Sequence, residues 1–228
     1  MLYRKICNIA LFFTSIFAFF TWSLTNSISF PYLDNIIIKF LINFASAYGF
    51  FRIIVTFAAF ILERIPIVKK KIFKSSYFEG TWVGYYQSPS DDKHVVFYQT
   101  IEQSFDNAQI LSKAYNLEDM NFRGIWISTS SISIKPQESE LSYLYKFDSS
   151  SNNNLNTNGL FIANYQKGKS KIPFRITGHS FNVTAKTKIK TELIKVSDKT
   201  IINDEKKVKQ DALNFYKEEE EIKQLKSS

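Results

Sequence analysis

The chain has one cysteine, Cys7, and two histidines, His94 and His179, among its 228 residues. A single cysteine excludes an internal disulfide and any cysteine-based zinc cluster. The histidines lie far apart, and neither sits in a serine, cysteine or carboxylate motif with nucleophile or metal spacing. A P-loop and a G-x-G-x-x-G turn are absent too, while Glu138 and Glu140 alternate at a turn and read as solvated. No cofactor is implied, and the pattern favours a receptor over a catalyst.

Charge is missing from two long stretches. Residues 6–24 form a run of nineteen without a charge, and residues 36–62 are interrupted only by Lys39 and Arg52. As a helix the first run is roughly 29 Å long, against about 30 Å for a bilayer core. Two transmembrane helices are therefore expected. The connection over residues 25–35 has no Lys or Arg and holds the helix breaker Pro31, whereas Arg4 and Lys5 precede the first run and Arg64, Lys69, Lys70, Lys71 and Lys74 follow the second. Positive charge stays on the cytoplasmic side, which puts both termini there in a multi-pass protein. A cleaved signal peptide would share the basic start and apolar run, but no A-x-A-like site follows Leu24. Cys7, at the membrane entrance, receives no role.

Arg52 lies too deep in the second run to reach an interface easily. Such a group faces a partner helix, a water-filled path or a bilayer defect, or pairs with a polar neighbour such as Tyr48 or Thr56. Ala45, Ser46, Ala47 and Gly49 allow close helix contact one turn earlier. Ala45, Ala47, Gly49 and Arg52 are thus the candidate self-association residues.

From Phe78 the pattern alternates with period two, broken by turn clusters at residues 88–92 and 149–154. It predicts strands over residues 81–88, 94–103, 108–115, 121–134, 140–148, 158–165, 171–183 and 185–197. Eight antiparallel strands of this length close into a small barrel, which removes free edges and can hold one small ligand. Leu141, Tyr143, Tyr145 and Phe147 share one face, as do Trp82, Gly84 and Tyr86. Buried tyrosine hydroxyls need partners, so several are expected to line a polar cavity or reach the surface. Residues 203–228 read as a charged helix, with Val208, Ala212, Phe215, Ile222 and Leu225 near helical spacing and Glu218 to Glu221 on an acidic turn. That stripe is thin, and a solvated or disordered tail is favoured over docking on the barrel. The organisation is thus residues 1–75 for the hairpin and its basic joint, 76–200 for a cytoplasmic barrel and 201–228 for the tail.

The net charge of +8 is unevenly spread. The juxtamembrane cluster sets topology and attracts anionic lipid. Eight Lys or Arg fall between Lys167 and Lys195 against the single acid Glu192, so that part of the barrel should attract anions. Lys186, Lys188 and Lys190 share one strand face and read as a solvated guard, while Thr187, Ile189 and Thr191 point the other way. Arg175, between Phe174 and Ile176, suits either bidentate phosphate contact or stacking across Trp82, and both remain open. The sequon Asn182-Val183-Thr184 has no meaning in a cytoplasmic domain.

Two N-terminal spans, a basic joint and a strand-rich domain resemble the two-transmembrane, β-strand-rich effectors of bacterial cyclic-oligonucleotide anti-phage defence (CBASS). The resemblance rests on the G-x-W-x-G opening at Gly80, Trp82 and Gly84, the L-x-Y-x-Y strand at Leu141, Tyr143 and Tyr145, and the R-x-T-G segment at Arg175, Thr177 and Gly178. It implies an eight-stranded, lipocalin-like barrel that binds a cyclic dinucleotide made by a cognate nucleotidyltransferase (CD-NTase). The protein would then self-associate and disrupt the bacterial inner membrane; no nucleic-acid polymer is a partner in this scheme. Arg175 and Thr177 are expected at the phosphates and Tyr143 or Tyr145 near a base, with Trp82 and Tyr86 on the same aromatic face. The competing expectation is a membrane-tethered lipocalin-like module that holds an apolar ligand or scaffolds a protein partner.

Overall fold

The computed structural model describes residues 2–27, 36–89, 91–104, 107–150, 157–183 and 186–227, excepting the side chains of residues 2–9, 25–26, 59, 62–63 and 227. The Pro31 connection, the Cys7 side chain, most of the 149–154 turn cluster and Thr184 of the sequon lie outside this set. The chain divides into two compact units, Met1–Ile72 and Phe73–Ser228.

In the first unit, helices α1 (Leu2–Ser27) and α2 (Ile36–Arg64) pack together, and α3 (Pro66–Phe73) follows after Ile65. Pro66 sits in the first turn of α3, where its missing N–H interrupts nothing. The seam joins Phe17 to Phe50, whose rings stack at 4.1 Å, and Ala10 and Asn43 are buried. Hydroxyls in α1 are satisfied within the helix: Thr14 donates to the Ala10 carbonyl at 2.7 Å and Ser15 to that of Leu11 at 2.9 Å. Phe12, Phe19 and Phe20 of α1 and Phe40, Phe44, Ile53 and Phe57 of α2 are exposed. Within α2, Ile36–Ala58 is 23 residues long and apolar enough to cross a membrane by length and composition. The apolar stretch of α1, Ala10–Leu24, is shorter, so among the described residues one helix rather than two meets that criterion.

The second unit is an all-β domain. Its strands are β1 (Gly80–Gln87), β2 (His94–Gln103), β3 (Ala108–Asn116), β4 (Phe122–Ser128), β5 (Ser133–Lys135), β6 (Glu140–Ser149), β7 (Thr157–Lys167), β8 (Pro173–Asn182) and β9 (Thr187–Ser197). Every pairing is antiparallel, β4 pairs with β6, and β9 returns to β1, so eight strands close an up-and-down barrel. The short β5 is the extra strand, paired to the start of β6.

The single strand expected over residues 121–134 is thus two. Serine side chains divide it by taking over backbone hydrogen bonds. Ser128 Oγ accepts from the Ile110 amide at 2.9 Å, Ser131 Oγ from that of Ala108 at 3.2 Å and Ser130 Oγ from that of Leu144 at 3.1 Å. Serine offers the chain this alternative to a ladder, and four consecutive hydroxyl residues, Ser128 to Ser131, supply it here.

One end of the barrel is plugged. Phe78 and Trp82 are fully buried, the Trp82 indole donates to the Phe78 carbonyl at 2.9 Å, and Tyr165 meets Phe78 edge-on at 4.9 Å. The opening motif thereby has a structural reason. Gly80 has a φ of +133°, and a side chain at Gly84 would overlap the Phe97 ring on the neighbouring strand.

The terminal segment is not a solvated tail. Helix α4 (Glu205–Ser227) lies on the outer face of β1 and β2, where Ala212 and Phe215 are buried with Val83, Tyr85, Val96 and Tyr98. Asp204 caps it by accepting the Lys207 amide at 3.1 Å. Of the apolar stripe, Val208, Ala212 and Phe215 dock while Ile222 and Leu225 stay exposed.

Candidate functional site

The other end of the barrel opens into a cavity of about 450 Å³. This is within the ordinary range of small-molecule sites. Its interior is aromatic because alternate residues of every strand face inward. Tyr86, Phe97, Trp126, Tyr143, Tyr145 and Phe147 line it, with Phe97 and Trp126 at 4.7 Å and Tyr86 and Trp126 at 6.1 Å between ring centres. Burial raises the pKa of the Tyr86 and Tyr143 phenols, which holds both as neutral hydroxyls. The Tyr145 hydroxyl bonds to Ser180 Oγ at 2.5 Å.

The rim is polar, with Ser88, Asn116, Asn182 and Thr187 around it. Thr187 Oγ1 is buried without a hydrogen-bond partner among the described residues. Among the described residues, Arg123 and Asp91 are the charged ones of the lining. Arg123 owes its direction to a bulge. Ala114 pairs with Gly124 and Tyr115 with Phe122, leaving Arg123 as the extra residue on β4. Strict alternation would send it outward with Ile125 and Ile127. Instead its guanidinium enters the mouth and donates to Asp91 at 3.0 and 3.1 Å, to Asn116 Oδ1 at 3.1 Å and to Ser88 Oγ at 2.6 Å. Those bonds hold the Asp91 carboxyl down at about 2. Sequence reasoning passed over Arg123, and a break in alternation was its one available signal.

The six ligand residues inferred from the sequence separate into three groups. Tyr86, Tyr143 and Tyr145 come together on the cavity wall. Trp82 shares their inward face but forms the plug below and does not border the cavity. Arg175 and Thr177, expected at the ligand phosphates, do not line this cavity. They alternate on β8 with Ile176, Gly178, Ser180 and Asn182, and it is Ser180 and Asn182 that face the cavity. Outside, Arg175 donates to Glu192 at 2.7 Å and to Glu219 of α4 at 2.8 Å, with the Phe215 ring at 5.9 Å. Its aromatic neighbour is Phe215, not Trp82; the cation beside Trp82 is Lys195, at 5.8 Å. Lys188 and Lys190 also face out, near Phe181 and Glu192, while Thr187, Ile189 and Thr191 line the cavity.

On α2, Ala45 and Arg52 are exposed seven residues apart, with the half-buried Gly49 between them at helical spacing. A side chain at Gly49 would meet nothing within 4 Å. Ala47 is half-buried on the Phe50 side of the helix. Among the described residues no group of His, Cys, Asp and Glu could hold a metal ion. No family model, curated protein or solved structure matches this chain.

Proposed function

We propose that the barrel is a receptor for a cyclic dinucleotide and that the apolar helices are its membrane effector, as the resemblance to CBASS effectors implies. The observation that carries this reading is the aromatic cavity with an arginine turned into its mouth. Flat bases stack on aromatic rings, and guanidinium groups bind phosphate bidentately. A base enters among Tyr86, Trp126, Tyr143 and Tyr145, while the sugar-phosphate ring stays at the rim near Arg123, Ser88 and Asn116. Arg175 and Thr177 have no part in this version. Lipid contacts would come from the exposed phenylalanines of both helices, with the spans crossing the inner membrane and both termini in the cytoplasm. Signal passes by self-association, because two helices are too few to form a conduit and nothing among the described residues of the barrel has the makeup of a catalytic site.

Calorimetry on the full-length protein in detergent, against a panel of cyclic di- and trinucleotides, tests the reading. Binding that is lost in Tyr145→Ala and Arg123→Gln supports it, and silence across the panel removes it. One observation favours the alternative of an uncharged, largely apolar ligand: Asp91 already neutralises Arg123. Nucleosides and fatty acids in the same panel discriminate the two.

A further inference from the structure

Arg123 is not held by Asp91 alone. Asn116 at the end of β3 and Ser88, the first residue after β1, also accept from its guanidinium. Asp91 lies further along the connection between β1 and β2, and offers both carboxylate oxygens to the guanidinium fork. The two partners are unequally placed: 18% of the Arg123 side chain is accessible against 37% for Asp91. The cation belongs to the barrel wall, and the carboxylate reaches it from the solvent side. A phosphate presents the same pair of oxygens to a guanidinium that a carboxylate does.

We propose that Asp91 is a built-in stand-in for the ligand's anionic group, holding Arg123 at the mouth until a ligand phosphate replaces it. This rests on the reading of the cavity as a site for a phosphate-bearing ligand. The exchange keeps Arg123 paired throughout, so no uncompensated charge is created in the wall. It also makes the site selective. A neutral nucleoside can fill the aromatic interior but has nothing to offer Arg123, so Asp91 stays in place. Asp91 is therefore a competitor of the ligand, and its removal should tighten anion binding.

The test uses inorganic pyrophosphate as the probe on full-length protein in detergent, with sodium chloride at matched ionic strength as control. In Asp91→Asn, pyrophosphate should raise the unfolding midpoint and bind about tenfold more tightly than in the parent, the equivalent of one charge-assisted contact. The double variant Asp91→Asn/Arg123→Gln should lose that response. Equal responses in parent and Asp91→Asn, or a response that survives in the double variant, would overturn the exchange. The unmodified protein supplies a second readout should Asp91→Asn fold poorly. Saturating pyrophosphate should move the Asp91 side-chain carbon resonance toward that of a free carboxylate, and an unmoved resonance at saturation counts against the proposal. A cyclic dinucleotide panel run on both proteins separates the two failures. If neither binds any of them while pyrophosphate still distinguishes the variants, the dinucleotide reading falls and the exchange stands.

Discussion

Gly159 lies directly across the ladder from Tyr145, and a side chain at Gly159 would overlap the Tyr145 ring. The glycine makes the space that lets this ring lie flat against β7 and bond to Ser180 on β8. Gly159→Ala should push the ring into the cavity. The expected cost is about 1 to 3 kcal/mol, the usual range for overpacking. Urea unfolding measures it, and an unchanged midpoint would show that the wall tolerates the methyl.

The tie between Arg175 and α4 predicts a stability effect rather than a binding effect. Arg175→Ala leaves Glu192 and Glu219 without their shared partner and should cost about 2 kcal/mol, typical of charged hydrogen bonds. Hydrogen exchange should quicken along α4 while affinity for a cavity ligand stays unchanged. A tenfold affinity loss with α4 still protected would return Arg175 to the site.

Phe215 is the main apolar anchor of that helix. Phe215→Ala should destabilise the barrel unit by about 3 kcal/mol, as large-to-small core substitutions do. Leu225→Ala, exposed at the far end of the same helix, should do nothing measurable. Thermal or urea unfolding of the pair gives the comparison.

Asp91 sets an acid limit. Its folded-state pKa is about 2, with the Arg123 hydrogen bonds as the main cause. The unfolded value is about 3.9. A depressed carboxyl adds stability above the unfolded value and loses it as pH falls through the folded one, so this contribution disappears between about pH 4 and pH 2. Carbon-detected NMR titration should find Asp91 charged down to that range. In Arg123→Gln the midpoint should rise toward the unfolded value.

On the proposed function, substitutions on the exposed face of α2 should separate ligand binding from membrane damage. Gly49→Leu and Arg52→Leu should leave ligand binding intact while reducing dye entry into cells that express the protein with its ligand source. Crosslinking reports oligomer size in the same cells. Ala47 is a poor probe of this face, since it lies on the Phe50 side that packs toward α1. Dye entry that persists while the protein stays monomeric would rule out the self-association route.

The barrel was legible because alternation is a local property. Tyr143, Tyr145 and Phe147 face the cavity as their spacing requires, and Lys188 and Lys190 face out by the same rule. What alternation could not show depends on partners remote in sequence. Val83 and Tyr85 of β1, with Val96 and Tyr98 of β2, are apolar on the face that points away from the cavity. Runs apolar on both faces signal a covered strand. In this chain they announced the docking of α4, which a thin helical stripe read alone did not. Arg123 was hidden by the bulge that inverts it. Arg175 looked available because Glu219 is remote in sequence, and only the fold brings the two together.

The position of α4 has a consequence for synthesis. The first strands made, β1 and β2, carry the apolar outer surface that Phe215 and Ala212 cover, and β1 must also wait for β9 to close the ring. On the ribosome, the helices of the first unit are complete long before Phe215 is polymerised. The barrel sequence therefore follows them as an unfinished sheet with an oily back. The order of the elements thus leaves that surface uncovered until α4 is made, the kind of exposure that favours aggregation during synthesis.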